Sequence, residues 1–394
     1  MDFAGLEFKN PFVVASSPLT ARVDLLKKAE RFGAAAASTK LTFTRQLFAG
    51  QLRMYSDPRT GSIVCHDKRL DADEGIALVR EAKQETSLIL LANITHEGED
   101  IEGWGRLARR FEEAGADIIE ANMVCPNVSV TARRLGQEIA SIGASVGQVP
   151  ELCREVVRVL KDTVDIPVVA KLTPNITDIT AAARAVQEGG ADGIVLAGAQ
   201  LALPEVDIRD RGRPRYPNLI GASMGSLGGP ASRFLSYAAI AQIARAVRVP
   251  VVGGGGLQNW QHAVEFMMWG STLVTACTQL MWYGFEVIPK ILQGMERFME
   301  EEGYGSYEEL VGLSLKHLRA AQDLQVIQAV PVVDEKRCDG CGICLLPGHC
   351  TAITMDEGKR ISIDSAACVG CAICTSVCPR GALSMQSVQA LEGR

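Results

Sequence analysis

The sequence predicts an α/β chain: eight parallel strands alternating with eight helices in a closed (β/α)8 barrel, then a small cysteine-rich module. Three observations lead there. Residues 1 to about 300 alternate short apolar runs with amphipathic stretches. Gly-Ala-Asp closes a helix and opens a strand twice, at Gly115 to Asp117 and Gly190 to Asp192, as a repeated unit would. Eight of the twelve cysteines fall between Cys338 and Cys378.

The apolar runs are, in order, PFVVASS from Pro11, AAAASTKL from Ala34, LILLANI from Leu88 and DIIEANM from Asp117. PVVAKLT from Pro167, GIVLAGA from Gly193, PVVGGGG from Pro250 and TLVTACT from Thr272 follow. Such near-continuous runs of Val, Ile and Leu read as parallel strands covered on both faces. Amphipathic stretches separate them. In ELCREVVRVLKDTV the residues Leu152, Val156, Val159 and Val164 recur at helical spacing. A doubly wound sheet is the alternative arrangement. The expected domains are a barrel over 1–300, a helical linker over 301–331, an iron–sulfur module over 332–386 and a tail over 387–394.

Composition narrows the class. At 47% hydrophobic and 22% charged the chain reads as globular. A net charge of −6, with no long basic run, argues against a nucleic-acid partner. No run of about 18 apolar residues appears, so no membrane span is expected. The opening MDFAGLEFKNPF carries charges where a signal peptide is apolar, so a cytoplasmic location is expected. In that setting the cysteines read as thiols or metal ligands instead of disulfides.

The tail holds Cys338, Cys341, Cys344 and Cys350, then Cys368, Cys371, Cys374 and Cys378, with Pro379 after the last. Each group opens with C-x2-C-x2-C, which turns three thiolates around one cluster. In two-cluster ferredoxins the fourth ligand comes from the other group. One 4Fe–4S cluster is therefore assigned to Cys338, Cys341, Cys344 and Cys378, and a second to Cys368, Cys371, Cys374 and Cys350. Zinc sites or a disulfide knot are the alternatives, but zinc favours two-cysteine knuckles over triple runs. The first group has a longer spacer, LLPGH, before Cys350. TAITMDEGKRISID, between the groups, reads as two short strands around a turn. The tail is thus a one-electron relay in a ferredoxin-like domain.

In a barrel the chemistry sits where strands end at their C-terminal side. The first run ends with Ala15, Ser16 and Ser17, and the second with Lys40. The third ends at Asn93, the fourth at Asn122 followed by MVCPN, and the fifth at Lys171. The seventh ends in Gly253 to Gly256, and the eighth in Cys277 and Thr278. Two lysines in a barrel mouth need partners, because a buried ammonium is costly unpaired. The glycines of the seventh run and of GSLGG, Gly225 to Gly229, bring backbone N–H groups close to an anion. Their convergence suggests a phosphate-bearing cofactor across the mouth.

On these residues the chain resembles the dihydropyrimidine dehydrogenase and dihydroorotate dehydrogenase family, in particular the members with C-terminal ferredoxin modules. The resemblance runs through GLEFKNPFVVAS, STK with Lys40, EANMVCPN with Asn122, Cys125 and Asn127, AKLTPNITDI with Lys171, GSLGG, VGGGGLQN and SYEELVG. It implies FMN in the barrel. It implies that Lys40, Asn122 and Lys171 meet the flavin ring or ribityl chain, with Ala15, Ser16, Asn93 and Cys277 around them. Gly228, Gly229, Gly255, Gly256 and Thr278 would lie near the phosphate. Cys125 would be the catalytic acid/base at the substrate carbon. A thiol suits that role because its ordinary pKa, ~8.5, is within reach of neutral pH. Asn122, Asn127 and His96 would face substrate. Cys65 and Cys153 read as filler.

Two departures from the family bear on substrate. The asparagine expected after the sixth run is replaced by AGAQ, with Gly198 and Ala199. After the third run stands NITHEGED, with His96, Glu97 and Glu99. An unpaired buried amide edge costs ~1–3 kcal/mol. A cyclic substrate other than uracil, thymine or orotate is expected, with a C=C bond conjugated to a carbonyl. Arg209, Arg211, Arg213 and Arg215 form a solvated loop with Asp207 and Asp210, or else a clamp for a carboxylate or coenzyme A ester. The segment after Cys125, VSVTARRLGQEIASIGASVGQ, reads as a lid.

The expected function is an FMN- and iron–sulfur-dependent oxidoreductase that reduces, or reversibly oxidises, an activated C=C bond. The alternatives are a dihydropyrimidine dehydrogenase catalytic subunit proper, a non-catalytic electron-transfer subunit, or a flavin enzyme acting on RNA, which the acidic balance disfavours. No second G-x-G-x-x-G follows a strand, so a separate NAD(P)H/FAD reductase subunit or a ferredoxin is expected as redox partner, along with self-association into an oligomer.

Overall fold

A computed structural model describes residues 1–44, 50–124, 128–134, 136, 140–196 and 198–387. The chain forms two compact units, Met1–His317 and Leu318–Arg394.

Each of the eight apolar runs contains a strand of the first unit. They are β1 (Phe12–Val14), β2 (Ala36–Ser38), β3 (Ile89–Thr95), β4 (Ile118–Met123), β5 (Val168–Leu172), β6 (Gly193–Leu196), β7 (Val251–Gly254) and β8 (Leu273–Ala276). Every neighbouring pair is parallel, β8 pairs with β1, and β3 pairs with both β2 and β4, so the ring closes. Eight helices follow them: α1 (Val23–Arg31), α2 (Ala72–Glu85), α3 (Ile101–Glu113), α4 (Pro150–Thr163), α5 (Ile179–Glu188), α6 (Arg233–Ala246), α7 (Trp260–Met268) and α8 (Val287–Glu302). The barrel, not the doubly wound sheet, is the fold.

The strands are apolar throughout because they are buried on both sides. Phe12, Val14, Leu90, Ile119, Val168 and Ile194 join the layer under the helices. Val13, Leu91, Ile118, Val169, Val195 and Val252 fill the barrel with Phe3 and Phe8. Those two phenylalanines come from the N-terminal segment, where Asp2–Phe3 pairs antiparallel with Leu6–Glu7. On α4 the buried face is Cys153, Val156, Val157 and Leu160. Leu152 and Val159 are only half-buried, and Val164 lies past the helix end, so the apolar stripe is rotated from the one the sequence suggests.

Two insertions, after β2 and after β6, build a separate four-stranded antiparallel sheet. Its strands are Gln200–Ala202, Gly225–Gly228, Gly61–His66 and Arg53–Asp57, in that order. Both insertions leave C-terminal strand ends, so this sheet belongs to the face where barrel chemistry is done. The expected helical linker over 301–331 is not helical: after α8 the backbone makes only the 3-10 turns Tyr307–Leu310, Leu315–His317 and Ala321–Asp323 before a strand at Ala329–Val333. Up to His317 this stretch belongs to the barrel unit, where Leu310 is fully buried and Gly312 N–H donates to Met267 O at 2.9 Å.

The second unit pairs Ala329–Val333 with Leu383–Ser387, and Ile353–Met355 with Ile361–Ile363. Its core is Cys344, Ile353, Cys374 and Leu383. With Val330, Ala352 and Ala382 the buried apolar residues described in this unit still number only seven, little for a domain of this size, which is where metal groups commonly supply the missing stability. No helix of the described residues is long and apolar enough to cross a membrane.

Candidate active site

The polar site begins inside the barrel. Glu120 and Asn122 are two residues apart on β4 and so share a face. Parallel register sets Glu120 opposite Asn93 of β3, and Asn122 opposite Lys171 of β5. Glu120 is 1% exposed; a carboxylate so buried must be paired. Its Oε1 accepts from Lys171 Nζ at 2.6 Å and from the Asn93 amide. Asn93 Oδ1 in turn accepts from Asn122 Nδ2 at 2.9 Å. Asn122 Oδ1 accepts the Val124 N–H at 3.0 Å, which ties the amide to the chain leaving β4.

Lys40, just past β2, finds its partner in the first insertion. Its ammonium pairs with the Asp67 carboxylate, and Arg69 Nη1 lies 3.0 Å from the same carboxylate. Burial lowers the Lys40 pKa to about 8, and the Arg69 charge pushes the same way against the pull of Asp67.

These side chains open onto a cavity of about 1220 Å³, open solvent at its mouth included. It is ringed by C-terminal strand ends: Ala15 and Ser16 after β1, Lys40 after β2, Asn122 on β4, Lys171 on β5 and Gly198 after β6. Gly255 and Gly256 after β7, then Cys277 and Thr278 after β8, complete the ring. The antiparallel sheet contributes Ser62, Val64, Ser226, Leu227 and Gly228, with Gly229 following. Burial pushes the Cys277 thiol up, against the nearby Lys40 charge.

One side of the cavity is bare backbone. Gly255, Gly256 and Gly229 have φ of +103°, +93° and +94°, the left-handed region that favours glycine. A Cβ on Gly198 would stand 2.3 Å from the Gly255 Cα, and one on Gly256 would stand 2.8 Å from the Gly229 carbonyl oxygen. The latter would also be 2.8 Å from the Arg233 Cβ, in the first turn of α6. Close backbones beside a helix N-terminus are the usual setting for a phosphate. Two ammonium groups and an amide suit the polar edge of a flavin ring, and Leu41, Leu196 and Leu227 on the wall suit its apolar faces. This donor set fits FMN.

Other sequence-nominated residues lie elsewhere. Asn93 is fully buried and lines nothing; it stands behind the wall and holds Asn122 and Glu120. His96 bonds Thr44 Oγ1 at 2.6 Å and Asp100 Oδ2 at 2.9 Å, and is not among the cavity residues. Cys125 and Asn127 lie outside the described residues. Arg213 and Arg215 are exposed and paired to Asp210 at 3.0 Å and Glu205 at 3.3 Å, away from the cavity wall. In the segment expected as a lid, the helix Val128–Arg134 is pinned where Ser129 Oγ meets Ser145 Oγ at 2.6 Å, both buried; residues 135 and 137–139 lie outside the described set. Burial raises the Cys153 thiol to about 12, an inert filler. Sequence reasoning missed the counter-ions Glu120 and Asp67, and Arg69, which shares Asp67 with Lys40. Glu120 was visible as an acid two residues before Asn122 inside DIIEANM, whereas nothing in HDKRLD marks Asp67.

The second unit contains two small cavities, each walled by four cysteines. Cys338, Cys341, Cys344 and Cys378 line one, and Cys350, Cys368, Cys371 and Cys374 the other. Burial raises the Cys344 thiol, and the neighbouring Cys338, Cys341 and Cys378 add to it; Cys374 stands likewise among Cys371, Cys350 and Cys368. Four cysteines lining one void are a donor set that fits a 4Fe–4S cluster.

Residues 1–299 match the family model for dihydroorotate dehydrogenase, and residues 361–384 the model for a 4Fe-4S binding domain. The chain is 29% identical to the NAD-dependent dihydropyrimidine dehydrogenase subunit PreA of Escherichia coli (strain K12), over 99% of this chain and 96% of that one. It is 32% identical to the dihydroorotate dehydrogenase B (NAD(+)) catalytic subunit of Methanothermobacter thermautotrophicus, over 78% of this chain and 96% of that one. The same identity holds to the corresponding subunit of Pyrococcus abyssi, over 79% and 97%. With its closed barrel and its polar site at the strand ends, the chain belongs to the dihydroorotate dehydrogenase family of flavin-dependent oxidoreductases acting on CH–CH groups, extended by a 4Fe–4S binding domain.

Proposed function

We propose that the chain is the catalytic subunit of an FMN- and iron–sulfur-dependent enzyme that reduces, or reversibly oxidises, a C=C bond conjugated to a carbonyl in a cyclic substrate other than a pyrimidine. The observation that carries this reading is the cavity, where two buried lysines, Asn122 and a side-chain-free glycine wall meet at the strand ends. FMN bound there supplies hydride transfer to or from one substrate carbon. Lys40, Asn122 and Lys171 hold the ring, and Gly228, Gly229, Gly255, Gly256 and Thr278 the phosphate. Cys125, two residues beyond β4, exchanges the proton at the adjacent carbon.

The substrate reading rests on Gly198. Relatives that read a pyrimidine amide use an asparagine after the sixth strand. Here the Gly255 backbone occupies the space that such a side chain needs. Of the two asparagines that remain, Asn122 and Asn127, Asn122 is already bonded to Asn93 and Val124. Two fewer amide contacts weaken pyrimidine binding by ~1–3 kcal/mol each.

Two 4Fe–4S clusters, one per cysteine-lined cavity, carry electrons between the barrel and a partner. An NAD-linked reductase subunit is the partner we favour, because the full-length relative is itself named as one subunit of an NAD-dependent enzyme. The test is anaerobic purification with flavin, iron and sulfide analysis. Unsaturated cyclic acids, amides and thioesters, with uracil and thymine as controls, are then screened for reoxidation of the reduced flavin. Reoxidation by a non-pyrimidine in preference to uracil and thymine supports the reading. Preference for a pyrimidine refutes its substrate clause.

A further inference from the structure

The spacer LLPGH is the one irregularity in the cysteine pattern. Five residues separate Cys344 from Cys350, where three separate Cys374 from Cys378. The longer loop ends in a turn, with the Cys350 N–H donating to Pro347 O at 2.9 Å. It sets His349 beside the other cysteine group, with Nε2 3.2 Å from Cys371 Sγ. The shorter loop has Val377 in the corresponding place, which has no side-chain donor.

We propose that His349 donates a hydrogen bond from Nε2 to the Cys371 sulfur and thereby raises the reduction potential of the cluster held by Cys350, Cys368, Cys371 and Cys374. The proposal rests on the two-cluster reading above. A cluster-bound thiolate carries no proton and can only accept, so the contact fixes the ring with its hydrogen on Nε2. Reduction adds negative charge to the cluster and its sulfurs. A donor aimed at one sulfur stabilises the reduced state more than the oxidised one, and hydrogen bonds to sulfur are among the levers that set such potentials. The other cluster has its own donor, the Ala382 N–H 3.3 Å from Cys378 Sγ, but that one is backbone, so a change of side chain other than to proline leaves it in place. His349 is therefore the adjustable contact of the pair, a positioning residue acting on the potential without being a ligand.

The test uses the full chain, purified without air, as wild type, His349→Phe and His349→Gln. Iron and sulfide analysis of the wild type comes first; iron for one cluster only refutes the two-cluster reading and is recognised at that step. Potentiometric titration followed by electron paramagnetic resonance then reads both midpoints. His349→Phe is expected to lower one midpoint and leave the other in place, with iron content unchanged. His349→Gln, which keeps an N–H, is expected to recover part of the shift. Unchanged midpoints in His349→Phe overturn the proposal. So does loss of one cluster's iron in both variants, since that marks His349 as a ligand. Wild-type protein carrying isotopically labelled histidine gives a check independent of any variant's folding. Weak nuclear coupling to one reduced cluster is expected; no coupling, or the strong coupling of a directly bound nitrogen, contradicts the assignment.

Discussion

Lys171 and Glu120 face each other across neighbouring barrel strands at 2.6 Å, with the lysine 8% exposed and the glutamate 1%. The pair is set by register: Asn122, two residues beyond Glu120, lies opposite Lys171, so the long lysine chain reaches back to the carboxylate. Glu120→Gln leaves a buried ammonium without its counter-charge. Barrel stability, followed in denaturant by the fluorescence of the four tryptophans, fully buried Trp104 among them, is expected to fall by ~3–5 kcal/mol. The double variant Glu120→Gln, Lys171→Met is expected to recover much of that loss. Equal losses in single and double variants would speak against the pairing.

The glycine wall yields a second prediction. Gly255→Ala introduces a Cβ at φ +103°, 2.5 Å from the Gly198 Cα. Backbone in that region costs a non-glycine residue ~1–3 kcal/mol. The purified variant is expected to carry much less flavin per chain, measured by absorbance after denaturation. Gly198→Asn is expected to lose flavin as well, with no gain in pyrimidine turnover, because the side chain meets the same backbone.

Lys40 provides a pH signature. Burial holds its pKa near 8, below the ordinary 10.5. Between those values the unfolded chain binds more protons at this site than the folded one, so the lysine makes stability rise with pH across that window. Below about 8 both states are protonated and the full desolvation penalty applies. Lys40→Met is expected to flatten the rise, as read from unfolding midpoints between pH 7 and 10.5. A parallel pair of curves would show that Lys40 titrates normally.

His262 adds an acid-side signature. Burial and then the Arg233 charge lower its pKa to about 4, and Arg233 Nη1 lies 2.6 Å from its Nε2. The unfolded chain binds the proton first as pH falls, so stability declines from about 6.5 toward 4. His262→Gln is expected to reduce the slope of that decline in acid unfolding curves.

Much of this was legible in the chain because burial leaves a compositional trace. The eight strands are covered on both faces, and PVVAKLT or TLVTACT can hardly be anything else. The two cysteine groups were equally plain, since each opens with the same C-x2-C-x2-C step. What stayed hidden is what spacing does not encode. Asp67 reaches Lys40 from an insertion 27 residues away with no motif around it. Asn93 sits at a strand end like its neighbours, and only the register shows that it supports Asn122 from behind. Composition leaves the arginines of RDRGRPRYP as either a solvated loop or a clamp; the hairpin Val206–Asp207 with Arg213–Pro214 holds Arg213 and Arg215 in exposed pairs, as the solvated loop requires.

Cys125 carries the proton-transfer role in the proposed reaction. Cys125→Ala is expected to keep flavin and iron at wild-type content while turnover drops ~10²–10⁴-fold. Turnover restored at high pH, or unaffected at any pH, would assign the proton to another group.

The central claim is that one chain couples a flavin at the strand ends to two clusters in its tail. The direct measurement is stopped-flow absorbance of anaerobic full-length protein mixed with a low-potential reductant, read at the flavin and cluster bands, against a variant with Cys371→Ala and Cys341→Ala. The account predicts flavin and iron for two clusters in the wild type, with electrons entering through the clusters and then reducing the flavin. It predicts a flavin that is bound but reduced far more slowly in the variant. Flavin reduction at the same rate with the clusters gone, or a wild-type chain that binds no flavin, would contradict it.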